Sequence, residues 1–459
     1  MGPGRGPLVS GAGLGLRSEL SADLLLRPRA VDFVETVVEA CFASPQARRE
    51  AAAMAELWPV IPHGIKMSLG SADGIEEERA RRVGDLVREL RAPLVTEHVA
   101  FVRGGTREIG HLTPLPYTPD AVKVVARNVA AFRRRLPDVP LLLENIAWTF
   151  RWPDDSMREA DFYAAVVEAT GCDLLLDLGN LHANALNEGR DPVQALLDFP
   201  LDHVGMVHIA GGIHEGGFYF DTHAHPVPDG VFRLLDLLCE RRGAVPVVIE
   251  RDALFPPFVE LEKELIRSRE AQRGDPPPCP LLPVREPDDV SPEVRAALLE
   301  RQRRLASLLT SLDEPLREEA APYGVEAVAR SREVLKRKRV DDALPLLPRL
   351  VPRRAQVEPL AYRVVAEAER SERLAAVTDA IRIARRAAEE PALRRAALLD
   401  GLVLEARFLV RDGGVVPRRA PFLRRQPLPE GQNCWVFKGF GAGAGVRLLE
   451  PASPQLPSR

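Results

Sequence analysis

Cysteine is scarce in this chain. The five present, Cys41, Cys172, Cys239, Cys279 and Cys434, are scattered, odd in number and never spaced as CxxC. That distribution excludes a disulfide framework and a thiolate zinc site as organising features. Long hydrophobic runs are missing as well. No stretch of about 18 apolar residues occurs, so no transmembrane helix and no membrane partner is expected. Neither sign of charge dominates: 62 basic and 66 acidic residues leave a formal net charge of −4, and a nucleic-acid partner is not expected. The N-terminus has no apolar stretch behind a basic segment, which argues against a signal peptide and for a cytoplasmic protein. The Gly11–Gly15 run lacks a convincing GxGxxG, and the glycine-rich stretch from Gly439 lacks the Lys-Ser/Thr of a phosphate loop. Histidine is absent after His225; all nine histidines lie between His63 and His225.

Several of those histidines end short apolar runs, in company with carboxylates. Eight runs read as strands: Leu8–Leu16, Val31–Glu35, Val60–Ser68, Pro93–Phe101, Val139–Asn145, Asp173–Asn180, His203–Ala210 and Ala244–Glu250. Segments with helical spacing lie between most of them, for example Ile75–Arg91, Thr118–Leu136 and Glu159–Thr170. Nearly continuous apolar strands suit a parallel sheet buried on both faces. Eight of them with intervening helices predict a (β/α)8 TIM barrel, with a doubly wound open sheet as the rival. Residues 274–290 read as a proline-rich linker, 291–410 as a helical accessory domain opened by Ser291-Pro292, and 411–459 as a β-like or irregular tail. Lys336-Arg-Lys-Arg reads as a solvated helix face.

In a barrel, groups at the C-terminal ends of the strands share one pocket. Six expected strands end in a possible ligand: His63, His98, Glu144, Asp177, His208 and Glu250; the loop after strand seven adds Asp221 and His223. A single histidine at a strand end is ordinarily a hydrogen-bonded structural residue, but six groups at equivalent ends point to a shared metal site. Eight ligands exceed the needs of one ion, so two or three ions with bridging carboxylates account for them better. Nitrogen and oxygen donors suit iron, manganese or zinc. Asn180 either ligates through its amide oxygen or orients Asp177, Asn145 reads as a supporting group, and His203 as structural. Such a site would serve a zinc or manganese hydrolase or isomerase, or a non-catalytic metal- or peptide-binding scaffold.

The motifs PHGIKMSLGS (62–71), TEHVAF (96–101), HLTPLPYT (111–118), LLLENIAW (141–148), LLLDLGNLHAN (174–184), HIAGG (208–212), DTHAHPVPDGVF (221–232) and VIERD (248–252) resemble, in order, the multinuclear non-heme iron-dependent oxidases, the family that includes the iron subunit of the methanobactin biosynthetic oxidase. The resemblance covers about residues 7–270. It implies a xylose isomerase-like TIM barrel over residues 1–273 and two or three irons of mixed ferrous and ferric state. It also implies O2 as co-substrate and oxidative tailoring of a ribosomally made precursor peptide, often at cysteine. Carried over, the ligand set is His63, His98, Glu144, Asp177, His208, Asp221, His223 and Glu250, with Asn180 as a further candidate. Glu144, Asp177 and His208 are the expected catalytic residues, the two carboxylates as bridges because they end central strands. Where many relatives have two adjacent asparagines, this chain has Gly179 and Asn180. Relatives commonly require a partner that recruits the peptide leader, so the C-terminal region is expected to be a fused leader-recognition module, unless a separate partner supplies that role.

Overall fold

A computed structural model describes residues 9–272, 287, 290–369, 374–411, 414–429, 431, 433–441 and 445–449. Most of the expected linker, Cys279 and the centre of the last glycine-rich stretch lie outside these. The chain divides into two compact units, Met1–Gly105 with Leu112–Gln302, and Thr106–His111 with Arg303–Arg459.

The first unit is a closed parallel barrel. Its strands are β1 (Ala12–Gly15), β2 (Phe33–Val37), β3 (Val60–Gly64), β4 (Val95–His98), β5 (Leu141–Glu144), β6 (Leu174–Asp177), β7 (Val204–Ile209) and β8 (Val247–Ile249), each paired with its neighbours in chain order, and β1 pairs with β8 to close the ring. All eight expected strands are present, and helices separate them. The helix Pro119–Arg133 shows how the sequence specifies such an element. Thr118 accepts the Ala121 N–H at 3.3 Å, Pro119 follows at the first turn, and Ala121, Val124, Val125, Val129 and Phe132 form the buried stripe.

Most strands stop earlier than their apolar runs, and β6 and β3 show why. β6 ends at Asp177 because that side chain caps the next helix, Leu178–Asn187, accepting the Asn180 N–H at 2.8 Å. β3 ends at Gly64 because the following amides turn to side chains. Ile65 and Lys66 donate to Glu39 at 3.2 and 3.1 Å, and Met67 donates to Glu97 at 3.3 Å. The glycines of the Gly11–Gly15 run make space: a Cβ on Gly13 would lie 2.6 Å from the Phe33 ring.

The helix Pro292–Thr310 starts in the first unit, where Gln302 binds Ala72 N at 2.9 Å and Gly70 O at 2.8 Å. In the second unit the helices Val325–Ala343, Arg354–Ala366, Ala375–Ala387 and Arg394–Arg407 share an apolar core that includes Val340, Leu347, Leu350, Leu360, Ile383 and Leu404. The basic run is only partly a solvated face. Arg339 is buried and grips Asp379 with two bonds of 2.8 Å, because its position falls on the packed side of its helix. The tail forms strands: Phe408–Arg411 pairs with Gly414–Pro417, and Phe422–Pro427, Asn433–Lys438 and Val446–Leu449 form an antiparallel sheet. Cys434 and Val436 on its inner face pack on Leu399, Leu402 and Ala406. Among the described residues no helix is long and apolar enough to cross a membrane.

Candidate metal centre

The barrel floor positions the centre. Val9, Phe33, Ile61, Leu94, Leu142, Leu175, Met206 and Val248 form one buried cluster, one residue from each strand or the residues leading into it. Side chains two residues apart on a strand share a face. The next inward position is therefore Glu35, His63, Thr96, Glu144, Asp177, His208 and Glu250 on seven of the strand segments. All seven are buried. His98, one further step along β4, registers against Glu144, and Asp177 registers against His208. Asp221 and His223 come from Phe218–His225, which pairs antiparallel with Gly211–Glu215. The segment expected as a loop is thus a hairpin whose two-residue turn is Gly216-Gly217, both at positive φ. His223 has φ 51°, a left-handed backbone rare outside glycine, and its carbonyl accepts the Asp252 N–H at 2.7 Å.

Three groups with metal-ligand spacing follow one another: His63, His98 and Glu144; Glu144, Asp177, His208 and Glu250; and Asp177, Asp221 and His223. Glu144 and Asp177 each belong to two groups. One Glu144 oxygen lies 3.2 Å from His98 Nε2 and 3.7 Å from His63 Nδ1, while the other lies 3.4 Å from His208 Nδ1. Glu250 Oε2 stands 3.3 Å from His208 Nδ1 and 2.9 Å from His223 Nδ1. His223 Nε2 stands 2.7 Å from Asp221 and 3.8 Å from Asp177. Donors bound to one ion at about 2.0–2.1 Å are roughly 2.9–3.4 Å apart, the range in which several of these separations fall.

The donors are themselves held. His63 Nδ1 meets Thr96 Oγ1 at 2.8 Å, and His98 Nδ1 meets the Gly64 carbonyl at 2.9 Å. Asn145 brackets the Asp177 backbone, accepting its N–H at 2.8 Å and donating to its carbonyl at 3.0 Å. Asn180 donates its side-chain amide to the Asn145 carbonyl at 3.0 Å and its backbone N–H to Asp177, so it positions both neighbours. His203 stands apart at the opposite end of β7, 3.4 Å from Asp173.

Charge in the centre is unbalanced. Among the described residues no arginine or lysine forms an ion pair with Glu35, Glu144, Asp177, Asp221 or Glu250; their partners are imidazoles. Burial, and then the Asp221 carboxylate, push Asp177 well above the ordinary carboxylate range. Burial opposes charge on His223, yet Asp221 and Glu250 hold it well above an ordinary imidazole. Burial likewise opposes charge on Glu250, and His208 and His223 hold it well below. Glu144 Oε2, Asp177 Oδ2, His208 Nδ1 and Asp221 Oδ1 are buried without a hydrogen bond. Unpaired buried acceptors are costly, and cations would satisfy them. The residues therefore fit a multinuclear site of nitrogen and oxygen ligands.

Glu35 ends the expected strand Val31–Glu35 but is absent from the expected ligand set. Its Oε2 lies 3.1 Å from His208 Nε2, and with His63 and His208 it forms a fourth group of metal-ligand spacing. The signal was the phase: Phe33-x-Glu35 repeats Leu142-x-Glu144 and Val248-x-Glu250.

A family model described as RiPP precursor modification enzyme MbnB/TglH/ChrH, where RiPP denotes a ribosomally synthesised and post-translationally modified peptide, matches residues 11–273. The chain belongs to this family. Its MbnB/TglH/ChrH barrel is similar to the UPF0276 protein of Streptomyces avermitilis, with 41% identity over 262 residues, 56% of this chain and 53% of that one. The chain thus spans about half the length of that relative. The UPF0276 protein of Caulobacter vibrioides is 37% identical over 257 residues, 56% of this chain and 91% of that protein. Among solved structures, endonuclease IV from Thermus thermophilus aligns at 18% identity and TM-score 0.37, over 57% of this chain and 98% of that one. A xylose isomerase domain protein from Planctomyces limnophilus aligns at 15% identity and TM-score 0.38, over 57% and 95%.

Proposed function

We propose that the barrel is a multinuclear non-heme iron-dependent oxidase that uses O2 to modify a ribosomally synthesised precursor peptide at cysteine. The observation that carries this reading is the chain of three ligand groups joined by two shared carboxylates, Glu144 and Asp177, within a family of peptide-modifying enzymes. When bound, two or three irons would supply O2 reduction and a coordination position for a cysteine thiolate. Glu144 would bridge the first and middle positions, since its two oxygens face different imidazoles. Asp177 would bridge the middle and outer positions while its other oxygen holds the helix cap. His208 completes the middle group with Glu250, and Asp221 and His223 the outer one. The test is turnover of a short cysteine-bearing peptide encoded beside the gene, followed by mass spectrometry. The expected result is iron in the active protein and a mass change that requires O2. Equal turnover without O2 overturns the oxidase reading, and activity with colourless zinc favours a hydrolase or isomerase.

The second unit is the leader-recognition module in this reading. Support comes from the outer face of its three-stranded sheet, where cross-strand register forms two rows, Arg425–Trp435–Leu449 and Leu423–Phe437–Arg447. All six side chains are exposed. An apolar face with arginines at opposite corners suits an amphipathic peptide with acidic residues. Trp435→Ala with Phe437→Ala should raise KM for the full precursor at least 10-fold, with metal content unchanged. An unaltered KM removes this face from the reading.

A further inference from the structure

The three imidazoles above the barrel floor share one arrangement. Each has a ring nitrogen tied to its own chain: His63 Nδ1 to Thr96, His98 Nδ1 to the Gly64 carbonyl, and His208 Nε2 to Glu35. Only the third anchor is a carboxylate. Glu35 lies on β2, which no ligand motif includes, and both it and His208 are buried. A neutral imidazole has one N–H and one lone pair. Two assignments are open to His208. If Nε2 held a metal together with Glu35 and His63, an N–H on Nδ1 would sit between Glu144 and Glu250 and bond to neither. If Nε2 carries the proton, Glu35 accepts it at 3.1 Å, and the Nδ1 lone pair faces the two carboxylates that flank the middle metal position. The second assignment gives Nε2 its partner in Glu35 and leaves Nδ1, together with Glu144 and Glu250, free to bind one cation.

We propose that Glu35 is a positioning residue for the metal centre: its carboxylate holds the Nε2 proton of His208, so that Nδ1 is the metal-binding atom. Such a carboxylate–histidine–metal relay fixes the ring and raises its basicity, and losing the outer partner costs about 10–100-fold in metal affinity. The inference rests on the metal reading above, and the experiment separates the two. Full-length wild type, Glu35→Gln and Glu35→Ala are titrated with cobalt(II) in competition with a chelator. The expected result is the same number of ions bound by all three proteins. Affinity at one position should fall about 10–100-fold in Glu35→Ala and less in Glu35→Gln, whose carbonyl still accepts the proton. The near-isosteric Glu35→Gln carries the test if Glu35→Ala does not fold. Loss of one whole equivalent in both variants would make Glu35 a ligand and overturn the proposal. Affinities within 2-fold of wild type would overturn it also, leaving the metal reading intact. Absence of cobalt uptake by the wild type would overturn both. Histidine 15N–1H correlation spectra of the zinc-loaded protein read the tautomer directly: a His208 proton on Nε2 is expected, and one on Nδ1 refutes the assignment.

Discussion

Asp177 shows how one residue serves fold and site together. Its Oδ1 caps the helix Leu178–Asn187, and its Oδ2 is buried without a partner. Asparagine caps as well as aspartate, but it would turn an N–H2 or an uncharged oxygen toward the metal. Asp177→Asn should therefore bind at least one ion fewer while its metal-free form melts no lower than metal-free wild type at neutral pH. Burial and Asp221 raise the Asp177 pKa, so its stabilising contribution is present at low pH and lost as pH rises through the raised value, and asparagine escapes that loss. Metal analysis with melting of the stripped proteins checks both halves. Glu159 offers a cleaner titration away from the ligands. Burial lifts its carboxyl from 4.5 to about 7, although Asn184 donates to it at 3.0 Å. The stability it contributes is complete below 4.5 and disappears as pH rises through about 7. Wild type should lose on the order of 3 kcal/mol relative to Glu159→Gln across that window, measured as the difference between their denaturation curves at pH 5 and pH 8.

Among the elements, the helix Glu77–Glu89 sets local propensity against packing. Gly84 lies inside it, where alanine is the better helix former by about 1 kcal/mol. A Cβ there would stand 2.1 Å from the Arg135 carbonyl oxygen, a backbone atom that cannot move aside as a side chain can. Overpacking costs about 1–3 kcal/mol, so Gly84→Ala should destabilise the protein on balance, and a denaturation midpoint equal to or above wild type would refute this. The strands show what was legible at this scale. Alternation of apolar runs and helical spacing marked all eight, because the buried faces of strands and helices have different periods. Their ends were less legible. β3 and β6 stop where Glu39, Glu97 and Asp177 side chains capture backbone N–H groups, and an apolar run carries no mark of that competition. Residue type marks Asp221 and His223 as candidates, but their strand is not legible because its partner, Gly211–Glu215, is glycine-rich and short.

For the molecule as a whole, five buried carboxylates face four imidazoles, whose protons offset only part of the negative charge until cations enter. Stripping metal with a chelator should lower the melting temperature of the barrel. Binding at 100 times Kd contributes about 2.7 kcal/mol per ion, equivalent to several degrees in a unit of this size, and scanning calorimetry with and without added metal measures it. A melting temperature unchanged by both chelator and added metal would mean that the carboxylates neutralise by taking up protons instead.

Residue order alone determined the two-residue phase that stacks a polar position over each apolar floor residue, and the alternation of strand and helix that makes a parallel barrel. Those are local properties, set by the geometry of a single strand or helix. Tertiary structure alone decided which candidate ligands adjoin. Strand register and closure bring His98 beside Glu144 and Asp177 beside His208, and place Glu35 against His208 across 173 residues of chain. The separation of two donors across a barrel depends on stagger and tilt rather than on distance along the chain. Shared carboxylates and the protonated nitrogen of an imidazole are therefore properties of the closed ring.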